Sequence, residues 1–343
     1  MRVAFMCGVA TLGLGLTALP AAAQNVKMTF LGSHNGELCD RDRATLFVDP
    51  SGVRILYDAG HTLTGPDDPR LGDVHAVLLS HAHGDHIGDR KLKALDTGTC
   101  GEPETISAGA NGMTAEVAAA KNAAIVAVVD LAVFLGKKVE AIRGKPVGPC
   151  PVSGGAVNVP VAAPCRSNSH LGGTIKLRAA NAKEAVEITN VYASHANAVA
   201  PSLLSEQLRK TAEGEGVAVT LGPPIGFVVK FTNGLTVYLS GDTGLHTEMK
   251  NIVQDYHKVN MSIFNLGPNA IDPQAAAYAI NELVRPQSVV VSHANEAVTE
   301  GGKLRPNTRT ATFMKLVKRP AYLSISGRTM EFDGKGACVG GCQ

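Results

Sequence analysis

At 343 residues with an apolar fraction of 45%, the chain is long enough for one large or two ordinary domains and can bury a sizeable core. Its 32 basic and 30 acidic side chains leave a formal net charge of +2, and the lysines and arginines are scattered along the chain. Composition therefore offers no nucleic-acid or anionic-membrane footprint and is consistent with a small-molecule substrate, a phosphate-bearing one included.

The chain opens on Arg2, an apolar run over residues 9–19 that is too short to span a bilayer, and the small residues Ala21, Ala22 and Ala23 before Gln24. Residues 1–23 are expected to be an export signal, leaving residues 24–343 as the mature protein, periplasmic or secreted, with no stable membrane insertion. Beyond Cys7 the cysteines are an even set, Cys39, Cys100, Cys150, Cys165, Cys338 and Cys342. An oxidising compartment favours disulfides, and proximity suggests Cys150 with Cys165 and Cys338 with Cys342, leaving Cys39 for Cys100. A cysteine zinc site is the rival reading, with spacings that do not make a paired CxxC set.

The segments "VKMTFLG", "ATLFVDP" and "VRILYDAG" read as an antiparallel meander, and "HAVLLS" as a buried strand. Within "NAAIVAVVDLAVFLGKKVE" a strand over residues 124–129 and a helix ending near Gly136 are expected, with one long buried helix from Asn111 as the alternative. The Pro/Gly/Cys-rich stretch over residues 143–169 reads as a surface insertion pinned by its own disulfide. Further on, "GTIKLRAA" and "AVEITNVYAS" are strands, and "PSLLSEQLRKTAEGEG" is a polar helical or loop excursion. "IGFVVKFTNGLTVYLSGD" is a hairpin turning at Asn233-Gly234. "PQAAAYAINELV" is a helix with Asp272 as N-cap and Pro273 at its first position. "QSVVVSHAN" is a buried strand, and "AYLSISGRTMEFDG" reads as a closing hairpin. Strands as meander, then interleaved with helices, indicate an α/β sandwich of two sheets with helices outside.

The densest chemistry lies in "HAHGDHIGD", where His81, His83, Asp85 and His86 crowd a turn after a buried strand. An H-x-H pair at a strand end can aim both imidazoles at one metal while Asp85 and His86 face an adjacent one, and without a cation such crowding is costly. The triplet Ser-His-Ala recurs at Ser194-His195-Ala196 and Ser292-His293-Ala294, again after apolar runs. Taken singly, each later histidine reads as a satisfied buried side chain; the ordered set singles them out.

This His-x-His-x-Asp-His motif resembles the signature of the metallo-β-lactamase fold, in which the remaining ligands arrive one at a time from later strand ends. The resemblance implies a single-domain, four-layer αββα sandwich, with His81, His83 and His195 on one metal, Asp85, His86 and His293 on a second, and Asp242 of "YLSGDTG" bridging them. It implies two divalent ions, zinc first and manganese or iron on the same donors, with a metal-bridging hydroxide that cleaves an ester, lactone or phosphoester. Asp85 would also orient the nucleophile and pass a proton, Asp242 would be catalytic through its bridge, and Asp58 of "YDAG" would support the ligands from behind. Segment order is similar to that of the metal-dependent hydrolases related to L-ascorbate-6-phosphate lactonase, and this similarity divides residues 111–140 into helix, strand and helix. The opening "FLGSHNGELCDRDRATLF", the Cys-rich insertions and the two SHAN sequences depart from that branch. A secreted β-lactamase and a catalytically silent metal-binding protein are the alternatives, and a homo-oligomer is compatible with either. His34, Asn197 and Asn295 are expected at the pocket rim, His246 at a helix start, and His61, His75, His170 and His257 at the surface or in the core.

Overall fold

The computed structural model describes Met1 and residues 24–342, so the export-signal expectation lies outside the described residues. Two eight-stranded sheets face one another. The first runs in the order Cys338–Gly340, Thr329–Phe332, Val26–Phe30, Thr45–Val48, Arg54–Tyr57, Ala76–Leu78, Ala124–Val126 and Cys165–Arg166. The second runs Ala321–Leu323, Ser288–Ser292, Met261–Asn265, Thr236–Leu239, Ile225–Lys230, Val186–Tyr192, Thr174–Ala179 and Val157–Val159.

Side-chain alternation explains the packing. In Val26–Phe30 the alternate residues Val26, Met28 and Phe30 are buried while Lys27 is exposed. Met28 pairs with Phe47 and Phe47 with Ile55 across the meander, so these three share one face. That face meets Phe227, Phe231 and Val237 of the second sheet, with Phe47 and Phe231 ring centroids 5.7 Å apart and Tyr57 edge-on to Phe227 at 6.2 Å. Met261–Asn265 and Ser288–Ser292 are buried at every position, as parallel strands covered on both faces must be. Their outer face, with Tyr238, Phe264 and Val289, lies under the helical segments Met249–Tyr256, Pro273–Tyr278, Ala279–Val284 and Arg309–Leu316. Helices Met113–Lys121 and Val129–Arg143 cover the first sheet, completing the αββα layering. No helix among the described residues is long and apolar enough to cross a membrane.

Three local expectations are corrected. The helix expected to stop near Gly136 continues to Arg143 and is capped by left-handed Gly144. Gly136 serves packing instead, since a Cβ there would stand 3.3 Å from Cδ of Arg166. Residues 143–169 are pinned by the Cys150–Cys165 disulfide, but they are not only a surface insertion. Val157–Val159 adds an edge strand to one sheet and Cys165–Arg166 an edge strand to the other. Finally, "AYLSISGRTMEFDG" does not form a hairpin. Ala321–Leu323 pairs in parallel with Ser288–Ser292, whereas Thr329–Phe332 crosses over to pair with Val26–Phe30, because each half matches the buried face of a different sheet. The closing hairpin joins Thr329–Phe332 to Cys338–Gly340.

Among the described residues the other disulfides are Cys39–Cys100 and Cys338–Cys342. Cys39–Cys100 closes 61 residues and holds the loop that leads to Arg43, where Asp42 accepts hydrogen bonds from the Ser33 and Cys39 amides. Chain-entropy reasoning puts its stabilisation at no more than roughly 4 kcal/mol. Replacing Cys39 and Cys100 together by serine is expected to lower the unfolding free energy by about 2–4 kcal/mol. Denaturant unfolding checks it, with the m-value fitted separately for each protein because the opened chain is less compact when unfolded.

Candidate metal centre

Strand direction decides which ends meet. Val186–Tyr192 and Thr236–Leu239 are both antiparallel to Ile225–Lys230, and Met261–Asn265 and Ser288–Ser292 continue parallel to Thr236–Leu239. The C-terminal ends of these strands therefore open on one edge, where His195, Asp242 and His293 follow them. Across the sandwich, Ala76–Leu78 ends at the same place and delivers His81 and His83, with Asp85 and His86 on the short helix Gly84–Ile87.

Seven side chains converge there. Ring nitrogens of His81, His83 and His195 form one group, with His83 Nδ1 lying 3.0 Å from His81 Nε2 and 3.3 Å from His195 Nε2. Asp85, His86 and His293 form another, Asp85 Oδ2 lying 3.3 Å from His293 Nε2 and 3.9 Å from His86 Nε2. Between them stands Asp242, with Oδ1 3.4 Å from His86 Nε2 and Oδ2 3.2 Å from His293 Nε2 and 3.6 Å from His195 Nε2.

The three histidines of the first group contact one another through their ring nitrogens, but donors between the two groups are left unsatisfied. His86 Nε2, His293 Nε2 and Asp242 Oδ1 are buried and have no hydrogen-bond partner. Orphaned buried nitrogens and a carboxylate oxygen facing a common centre are costly unless a cation accepts their lone pairs, so the donor set fits a divalent metal.

The surroundings aim the candidate ligands. Asp58 is buried, its Oδ1 and Oδ2 accept from the Ser80 amide at 2.9 Å and hydroxyl at 2.8 Å, and Oδ2 lies 2.7 Å from His86 Nδ1. This contact turns the other ring nitrogen of His86 towards Asp242 and Asp85. Burial opposes charge on His86, but Asp242, Asp58 and Asp85 outweigh it and push its pKa up to about 10. Burial likewise works against ionised Asp85 and Asp242. Arg43, His86 and His293 nonetheless hold Asp85 well below the ordinary carboxylate range, and His293, His86 and His81 do the same for Asp242. His81 is driven well below the usual imidazole value, by burial first and the neighbouring His86 next.

Backbone constraints add precision. Gly241 is left-handed at φ +58, and a Cβ on it would meet the Ile225 carbonyl at 2.7 Å, so only glycine lets the strand turn into Asp242. His293 and Asn295 have φ of 51° and 49°, a conformation non-glycine residues rarely adopt. Asn197, expected at the rim, is instead a buried strut: its Oδ1 accepts from the Ala82 amide at 2.7 Å and its Nδ2 donates to the Leu221 carbonyl at 2.8 Å. Asn295 accepts from Arg43, a residue the sequence reading did not single out. His246 does not cap the helix. It stands edge-on to Tyr192 with neither ring nitrogen hydrogen-bonded, and burial lowers its pKa to about 4. His61 lies 2.7 Å from Asp89, the last residue of the "HAHGDHIGD" stretch.

Two facing sheets under helices, with imidazoles and carboxylates gathered at one edge, define a metallo-β-lactamase-type architecture. A family model described as Beta-lactamase superfamily domain matches residues 53–294, and the chain belongs to that family. A metal-dependent hydrolase of Staphylococcus carnosus is 26% identical over 254 residues, 73% of this chain and 82% of its own length. One from Cupriavidus metallidurans is 25% identical over 257 residues, covering 73% of this chain and 69% of its own. Among solved structures, Igni18, a metallo hydrolase of Ignicoccus hospitalis, aligns with a TM-score of 0.52 at 20% identity, over 90% of this chain and 99% of that one. The metallo-beta-lactamase fold protein YhfI of Bacillus subtilis aligns at 0.50 and 12% identity, with the same coverage. These two likenesses bear on the fold.

If Asp58 orients His86, Asp58→Asn keeps the shape and the backbone conformation but weakens the aiming bond, and metal affinity is expected to fall roughly 10- to 100-fold. Gly267→Ala tests the other side, because its Cβ would lie 2.8 Å from His293 Nδ1 and displace the ring. Chelator competition measures both, and unchanged affinity in both would rule out this arrangement of supports.

Proposed function

We propose that the protein is an exported metal-dependent hydrolase that holds two divalent cations, zinc first, and cleaves an ester, lactone or phosphoester bond of a small molecule. The observation that carries this reading is the set of buried, unpartnered donor atoms shared by His86, His293 and Asp242 at the edge where His81, His83 and His195 also converge. His81, His83 and His195 would hold one cation, Asp85, His86 and His293 the other, and Asp242 would reach both. Membership of the family and the naming of its relatives as metal-dependent hydrolases support hydrolysis as the reaction class. Export agrees with three disulfides, which persist in oxidising compartments.

What such cations supply when bound is Lewis acidity towards a carbonyl or phosphoryl oxygen and acidification of water towards neutral pKa. The chain's residues supply the rest. Asp85 is the carboxylate of the group that solvent reaches, its side chain 26% exposed against 8% for Asp242. It can orient the attacking water through one oxygen and carry its proton to the leaving group. His81 and His86 are almost fully buried, which keeps their ring positions fixed while substrate enters from the Asp85 side.

The test sets zinc- or manganese-loaded mature protein against a lactone, a phosphodiester and a β-lactam, with Asp242→Ala as control. Turnover of the lactone or the phosphodiester is expected, falling to background in the control and after chelation. A metal-replete protein inert towards all three would be a metal-binding protein instead, and β-lactam cleavage alone would move it to the lactamase reading.

A further inference from the structure

The Arg43 side chain is 2% exposed, and its Nη2 donates to Asp85 Oδ2 at 2.5 Å and to Asn295 Oδ1 at 2.6 Å, while Nη1 donates to the Arg41 carbonyl at 3.0 Å. The oxygen it grips is the one that faces His293 and His86. A guanidinium is a permanent cation, and a buried one in contact with a donor oxygen both draws electron density from that oxygen and repels a second positive charge placed beside it. Among the described residues no lysine or arginine is hydrogen-bonded to His81, His83 or His195, and the carboxylate in contact with that group is Asp242, 3.6 Å from His195 Nε2.

We infer that Arg43 is a positioning residue that makes the two cation sites unequal, holding Asp85 in place while weakening the cation site built on Asp85, His86 and His293. The inference rests on the two-cation reading above. The first ion binds tightly to the three imidazoles and Asp242, and the second fills only at higher free metal. Asn295, strained at φ 49°, aims the guanidinium, which gives the second SHAN sequence a task that differs from the first, where Asn197 holds the histidine loop.

A structural role and a charge role predict opposite outcomes. If Arg43 merely ordered Asp85, removing it would loosen the second ion. If its charge opposes that ion, Arg43→Met tightens the second binding step by roughly tenfold or more, and Arg43→Lys, which keeps the charge, leaves the step weak. Stepwise zinc binding to the full mature chain by calorimetry, with a chelator series for the tight step, reads this without any substrate. Should Arg43→Met fail to fold, Asn295→Asp carries the test, because a carboxylate there offsets the guanidinium and tightens the same step. Two unequal steps in the natural protein, the second tightened in Arg43→Met or Asn295→Asp, are the expected result. Equal steps in the natural protein, or a second step weakened or unmoved by both variants, would overturn the inference while leaving two cations in place. One ion or none at every zinc concentration would overturn the two-cation reading and the inference with it.

Discussion

The buried carboxylate of Asp58 ties the end of the first-sheet strand Ala76–Leu78 to the histidine loop, and the rest of the open edge depends on that tie. By accepting both the amide and hydroxyl of Ser80 and contacting His86 Nδ1, it fixes the turn on which four candidate ligands sit. A carboxylate with three partners tolerates burial, whereas the atoms it aims, His86 Nε2 above all, are left without partners. Stability is thus concentrated behind the site and its cost in front of it, the pattern expected where a fold presents donors to a cation.

The second sheet makes the same provision by different means. Gly241 permits the sharp exit from Thr236–Leu239 into Asp242, and the left-handed residues His293 and Asn295 accept strain at the exit from Ser288–Ser292. Such conformations persist only where surrounding packing over-determines them. Here the parallel strands beneath are buried at every position, so the exits have a rigid base. The cation Arg43, reaching in from the opposite sheet, closes the ring of charge by engaging Asp85 and Asn295 together.

Much of this was legible in the chain itself. Alternation marked the meander, Asn233-Gly234 the hairpin of the second sheet, and Asp272-Pro273 a helix start, since each depends on neighbours within a few residues; Asp272 Oδ1 does accept from the Ala275 amide at 2.8 Å. The cysteine pairing followed from proximity and an even count, and the same three disulfides are present. Local pattern failed where a partner far along the chain decides the outcome. Nothing within "AYLSISGRTMEFDG" says that its halves belong to different sheets, and nothing within residues 143–169 says that their short strands extend both edges.

The sequence by itself determined the kinds of side chain available for chemistry and their place after strands, because hydrophobic period and turn residues are local properties. It also placed Asp58 among the supports, by resemblance. Only the tertiary structure decided which strand ends share an edge, because parallel or antiparallel pairing sets where a chain exits the sheet. The same three-dimensional packing brought Arg43 against Asp85, two residues 42 positions apart whose contact no periodicity encodes. Charge acts through space, so the electrostatic character of a site assembled from both sheets becomes defined only when the sheets close on each other.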